Sequence, residues 1–191
     1  MKRTILSLFM LLATISSCQV SNNFNYSTNK FYTLVNKSTG AKLGISFDYN
    51  NHASAYRESI PSGHAPNGIK ISAEKVFYFK FMPAVVDSKN KKNEANEYSY
   101  IVSENLFALE DGSETGEGQW LIFRYLDKTN PYQQWKLVKK DDAFIIINKV
   151  TGRCVDLAGG DPKEGASVFS YDINDDSQSN ANQKWIIEAQ Q

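Results

Sequence analysis

The sequence predicts an all-β domain built from repeats, and three observations carry that expectation. Short β-branched and aromatic runs, such as FYTLV, VFYFKF, WLIFRY, FIII and KWII, recur along the chain with Gly, Asn, Asp and Pro between them. Amphipathic helical periodicity is hard to find. Two segments also align without gaps: residues 32–45 read YTLVNKSTGAKLGI and residues 144–157 read FIIINKVTGRCVDL. Each places an apolar strand before Asn-Lys-x-Thr-Gly and a second short strand after it. Asn and Gly suit such a tight hairpin because both tolerate positive φ.

The chain opens with Lys2 and Arg3, followed by ILSLFMLLATI at residues 5–15. An uncharged run of about eleven residues is too short to span a bilayer as a helix and fits the apolar core of a secretory signal. Ile15-Ser16-Ser17-Cys18 follows, with small residues ahead of a cysteine. This resembles a bacterial lipobox, which implies a signal peptide over 1–17 and lipidation of Cys18. The expected location is then the cell envelope, lipid-anchored at the outer membrane. Gln19, Val20 and Ser21 replace the acidic residues that some surface-exposed lipoproteins of gut bacteria carry there, so the membrane face stays open. Residues 18–30 are rich in Asn and Ser and are expected to form a flexible tether.

The folded domain is expected over 31–191, about 160 residues, enough for one real core. Without Lys2 and Arg3 the 21 basic residues fall to about 19 against 21 acidic ones, a net charge near −2. Nucleic acid is therefore not an expected partner, since phosphate binding needs a basic face. After processing only Cys154 remains, so no intramolecular disulfide can form and packing must supply the stability.

The repeats are expected at approximately 31–86, 97–140 and 141–188. The first carries a long polar insertion near residues 46–66, which holds His52 and His64. Two histidines without a Cys or Glu at ligand spacing read as loop residues. The second contains a weaker copy of the hairpin, YIVSENLFAL at 100–109, with a shortened turn. Gln-x-Trp recurs in YQQWKLV (132–138) and NQKWII (182–187), and FYFKFM (77–82) puts Phe79 at the place of the tryptophan. Anchors about fifty residues apart make three copies of one supersecondary unit.

Three repeats ending in Gln-x-Trp resemble the ricin B-chain-type lectin domains. The resemblance implies a β-trefoil: three pseudo-symmetric repeats forming a six-stranded barrel capped by three hairpins. It places Phe79, Trp135 and Trp185 in the core, as their size also suggests. Trp120 fits either strand packing or an exposed platform.

The same resemblance implies carbohydrate binding. A pyranose offers an apolar face for an aromatic ring and vicinal hydroxyls for a carboxylate and an amide. In the third repeat those roles fall to Asp156, Tyr171 and Asn182, with Gln183 beside them. Phe169 stands where many relatives carry Gln. Cys154 stands where relatives carry a cysteine paired to one just after the stacking aromatic, and Ile173 occupies that second place. A buried, inert thiol is expected. In repeat two the Asp position falls on Ala108 and the Asn position on Tyr132, although Tyr125 keeps the aromatic; in repeat one the Asp position is Gly44. One working site, in repeat three, is therefore expected.

Other chemistries find less support. Asp172, Asn174 and Asp176 start like a calcium loop, but Ser177 and Gln183 replace the Gly and Glu that such a loop needs, so no metal is expected. No nucleophile elbow or phosphate loop is present, and Asp141 and Asp142 read as a turn, so neither catalysis nor a cofactor is expected. The expected partners are a glycan or polysaccharide and, through the N-terminal lipid, a membrane. The competing function is a protein-interaction trefoil, with a partner covering repeats one and two near Tyr125 and Tyr132.

Overall fold

The computed structural model of the chain describes residues 24–46, 52–56, 63–64, 70–71, 77–84, 97–112, 119–174 and 180–191. Its strands are β1 Tyr32–Asn36, β2 Lys42–Ile45, β3 Ala53–Tyr56, β4 Gly63–His64, β5 Lys70–Ile71, β6 Phe79–Pro83 and β7 Ser99–Ser103. They continue with β8 Phe107–Asp111, β9 Gln119–Tyr125, β10 Trp135–Lys140, β11 Ala143–Asn148, β12 Cys154–Leu157, β13 Ala166–Tyr171 and β14 Trp185–Ala189. The short pair β4–β5 stands apart, and the other strands join one sheet.

Six strands close on themselves in the order β14–β1–β6–β7–β10–β11 and back to β14, each pair antiparallel. Closure satisfies every barrel edge, which removes the usual hazard of an open sheet. The hairpins β2–β3, β8–β9 and β12–β13 lie outside the ring. They meet one another through Ala166↔Ala55, Phe169↔Trp120 and the bridge His52↔Ile122. This is the β-trefoil, four strands to a repeat.

The core follows from the alternation of the strands. Phe79, Trp135 and Trp185 begin β6, β10 and β14, and all three are fully buried. The Trp135 indole N–H donates to Leu109 O at 2.8 Å, and that of Trp185 to Val155 O at 2.9 Å. Each indole so ties a barrel strand to the hairpin of its own repeat and fixes which hairpin residues are equivalent. Phe79 fills the matching place without a donor.

The Asn-Lys-x-Thr-Gly turns behave alike. Asn36 and Asn148 are buried, and their side-chain oxygens accept from the N–H groups of Ser38 and Val150 at 3.1 and 2.9 Å. Gly40 and Gly152 close the turns at φ 73° and 70°, a conformation that strains any residue with a Cβ. The amide groups of Asn36 and Asn148 then donate to Asn182 O and Tyr132 O, both at 2.8 Å. The turn that opens one repeat therefore holds the Gln-x-Trp loop that closes the repeat before it.

The structure departs from the expected tether at residues 24–30. The Phe24 ring packs on Tyr32, Phe81 and Phe144 at centroid distances of 5.6, 5.6 and 5.1 Å. Tyr26 shares a 2.6 Å hydrogen bond with Ser99. These partners lie where β1, β7 and β11 begin, so the segment plugs that end of the barrel. Two aromatics give it apolar surface that the Asn- and Ser-rich composition of the stretch concealed. Cys18 and the rest of the proposed leader lie outside the described residues.

Candidate functional site

Asp156 lies in β12 between Val155 and Leu157, which both point into the core. Alternation along the strand turns its side chain to the opposite face. There it is 6% exposed and held by two amides. The Asn182 Nδ2 group donates to both carboxylate oxygens at 2.9 and 3.0 Å, and Gln183 Nε2 donates to Oδ2 at 2.7 Å. Burial raises the Asp156 carboxyl above its ordinary range, and the bonds from Gln183 and Asn182 oppose that rise. A carboxylate has about four acceptor positions, so one on Oδ1 remains for a ligand. Asn182 retains its amide oxygen and a second N–H for the same ligand.

Gln183 is not a surface contact. It is buried; besides Asp156 its Nε2 donates to Asp172 O at 2.9 Å, and its Oε1 accepts from Asn174 N–H at 3.0 Å. Its amide is fully used in these bonds, which hold the carboxylate from behind; the sequence alone places Gln183 among the sugar-contacting residues. Those bonds also consume backbone groups of the supposed calcium loop, while Asp176 lies outside the described residues. Tyr171, at the end of β13, is 41% exposed. It stands opposite Cys154, two residues along from Phe169, which is opposite Asp156. Tyr171 and Phe169 therefore flank the carboxylate on one face of the hairpin.

The second repeat holds a parallel arrangement at a different residue from the one expected. The Trp135 bond to Leu109 O makes Leu109 the equivalent of Val155, so Glu110, not Ala108, stands for Asp156. Ala108 pairs with Val102 as Cys154 pairs with Ile147. Glu110 is 7% exposed, and its Oε2 accepts from Gln133 Nε2 at 2.9 Å and Asn130 Nδ2 at 3.0 Å. Tyr132 does occupy the backbone position of Asn182, and Asn130, two residues earlier, supplies the amide instead. Gln133 also repeats the brace, donating to Tyr125 O at 3.1 Å and accepting from Asp127 N–H at 2.8 Å. By that match Tyr125 corresponds to Asp172, and Arg124 occupies the place of Tyr171. Tyr125 still presents an aromatic face, 57% exposed and stacked on Phe107 at 4.6 Å. The placing of the repeat-two position at Ala108 fails because the β7–β8 turn is one residue shorter than its counterparts. In repeat one Gly44 pairs with Ser54 as Asp156 pairs with Phe169, so that position has no carboxylate.

Residues 86–171 and 131–191 match the family described as ricin-type beta-trefoil lectin domain-like, together more than half of the chain. The chain belongs to this family. A comparison with curated proteins finds no matching relative. Among solved structures the ricin-type domain is similar to a designed 3-fold symmetric protein, ThreeFoil. That likeness has 19% identity and a TM-score of 0.62, over 83% of this chain and 97% of the other. It is also similar to the Rhizoctonia solani agglutinin, at 16% identity and a TM-score of 0.59, over 87% and 100% of the two chains. An exo-beta-1,3-galactanase from Clostridium thermocellum matches at 19% identity and a TM-score of 0.61, covering 87% of this chain. The ricin-type domain spans only 31% of the galactanase's length.

Other residues singled out by sequence also find places on the trefoil. Cys154 is buried and unpaired, and burial, aided by the charge of Asp156, pushes its thiol up to about 12. Asp141 and Asp142 form the exposed β10–β11 turn and pair with Lys184 and Lys37. His52 is not a bystander in a loop: its ring lies 4.4 Å from that of Trp120. His64 falls on β4.

Proposed function

We propose that this protein binds carbohydrate, with its principal site at Asp156, Asn182 and Tyr171 and a second at Glu110 and Asn130. The observation that carries the reading is the Asp156 carboxylate, oriented by two side-chain amides beside an exposed aromatic. That set answers a pyranose in kind: an acceptor for a hydroxyl, an amide for its neighbour, and a ring for the C–H face. The role is binding rather than catalysis. Each site is shallow and so weak by itself, because few contacts must offset the loss of ligand freedom. Two sites on one trefoil, and many trefoils on one surface, raise the avidity for a polysaccharide.

The protein is further proposed to be exported and lipid-anchored through Cys18 at the outer membrane. Phe24 is fixed in the barrel, so the six residues from Cys18 could hold the domain at most about 20 Å from the bilayer. The test is a glycan array probed with the soluble fragment from Gln19, beside Asp156→Asn and Glu110→Gln. Binding that weakens in either variant and disappears in the double variant supports the reading. Binding to no glycan by a folded protein overturns it in favour of a protein partner.

A further inference from the structure

We propose that Trp120 forms a second sugar-stacking position beside Asp156, so that the third-repeat site takes an oligosaccharide rather than one terminal sugar. This rests on the reading of Asp156 as a sugar site and extends it across a repeat boundary.

The register places the three residues in one row. Asp156 of β12 is opposite Phe169 of β13, and Phe169 is opposite Trp120 of β9. Directly opposed residues of antiparallel strands project to the same face, and adjacent strands lie about 4.8 Å apart. Trp120 therefore stands about 10 Å across the sheet from the carboxylate, with Phe169 between them. Tyr171 borders the carboxylate from two residues along β13, and the row continues from Asp156 across Phe169 to the hairpin of the second repeat.

Trp120 is shaped for contact. It is 43% exposed, although a residue of its size is ordinarily largely buried. Its indole is braced edge-on by Phe169, with centroids 4.9 Å apart and planes at 86°, and by the His52 ring at 4.4 Å. A held aromatic plane loses little freedom when a ligand stacks on it.

The pseudo-threefold symmetry shows that packing does not demand a tryptophan here. Ser54 pairs with Ser167 as Phe169 pairs with Trp120, and Ile122 bridges to His52 in the same manner. The positions equivalent to Trp120 are thus Ser167 and His52. The hairpins meet equally well around a serine, and the large apolar ring appears only beside the aspartate cradle. Continuity with that cradle selects a carbohydrate as its occupant.

The test uses the fact that the chain has three tryptophans, of which Trp135 and Trp185 are fully buried. Ligand-dependent quenching by acrylamide therefore reports Trp120. Oligosaccharides of one to four units in the galactose, glucose, mannose and N-acetylglucosamine series are titrated into wild type, Asp156→Asn, Trp120→Phe and Trp120→Ser. Serine is the residue an equivalent position already carries, so that variant is expected to fold. The expected result is affinity that rises on going from one to two or more units, with Trp120 shielded from acrylamide. Trp120→Ser should lose about tenfold for the longer sugars while keeping its affinity for the single unit, and Trp120→Phe should retain most of the gain. Asp156-dependent binding that ignores chain length, or leaves Trp120 quenchable, overturns the inference and leaves the sugar site standing. Absence of any Asp156-dependent binding overturns both.

Discussion

Replacing Gln183 by Leu tests whether this glutamine braces the site or touches the ligand. Leucine keeps much of the volume and removes three hydrogen bonds, to Asp156 Oδ2 at 2.7 Å, Asp172 O at 2.9 Å and Asn174 N at 3.0 Å. The two backbone groups belong to exposed residues and can turn to water, so their loss costs little. Asp156 cannot do the same: it is 6% exposed and would keep only Asn182. A bond to a buried charge contributes about 1.5–3 kcal/mol. The expected destabilisation is therefore about 2–3 kcal/mol, a fall in Tm of roughly 4–12 °C for a domain of this size. Urea unfolding followed by circular dichroism measures it, with an unchanged slope confirming that the unfolded state is not altered. Gln133→Leu should cost a similar amount, since it strips Glu110 of the corresponding bond at 2.9 Å. Adding Asp156→Ala to Gln183→Leu should recover part of the loss, because removing both partners leaves no unsatisfied charge. A stability change below about 0.5 kcal/mol, accompanied by weaker sugar binding, would refute the bracing role and return Gln183 to the contact surface.

Two further outcomes follow from protonation. Burial raises the Asp156 carboxyl above its ordinary value, so sugar binding should fade on acidification at a higher pH than an exposed aspartate would dictate. The native state binds that proton more readily than the unfolded chain, so this group's contribution to stability increases as pH falls through the same window and is lost as pH rises through it. Titration calorimetry and urea midpoints over the acidic range should therefore show binding lost without a parallel loss of stability from Asp156; binding that persists well below the ordinary carboxylate range contradicts the raised carboxyl. Cys154, pushed up to about 12, should ignore a disulfide reagent at pH 8 in the native protein and react at once in denaturant; rapid native labelling refutes its burial.

The trefoil was legible because its signals are local and repeated. Two Asn-Lys-x-Thr-Gly turns and two Gln-x-Trp ends mark the same unit, and the buried asparagines and indoles show why those letters recur. The Asp156 cradle was legible for a related reason, since repeat three differs least from the pattern. Glu110 was missed because strand register cannot be counted through a turn of altered length. Leu109 resembles Leu157 as a letter, but the Trp135 indole shows that it sits at the level of Val155. The glutamine of Gln-x-Trp held the usable signal: Gln133, like Gln183, donates to a buried carboxylate in its own hairpin, and Glu110 is an acid within reach. Phe24 and Tyr26 escaped notice because two aromatics in a polar stretch set up no period to betray them.

Folding of the trefoil does not call for the two carboxylate cradles. A charged group withdrawn from water carries a desolvation penalty, and burial raises the Asp156 carboxyl for that reason. The trefoil does not require that penalty, since repeat one completes the same hairpin pairing with Gly44 at the equivalent position. Nor does the cradle hold the indoles, which bond to backbone carbonyls at the neighbouring residues. What Asp156 and Glu110 share is a carboxylate fixed from behind by glutamine and from the side by asparagine; beside Asp156 stands the exposed Tyr171, and beside Glu110 stands Arg124 in its place. Fixed acceptors of that kind lose little entropy on meeting a ligand, whereas a surface aspartate would have to be ordered first. On the proposed reading, preorganisation for a polyhydroxylated ligand is the gain that offsets the penalty, and the cradle occurs only in the two repeats that carry the acid.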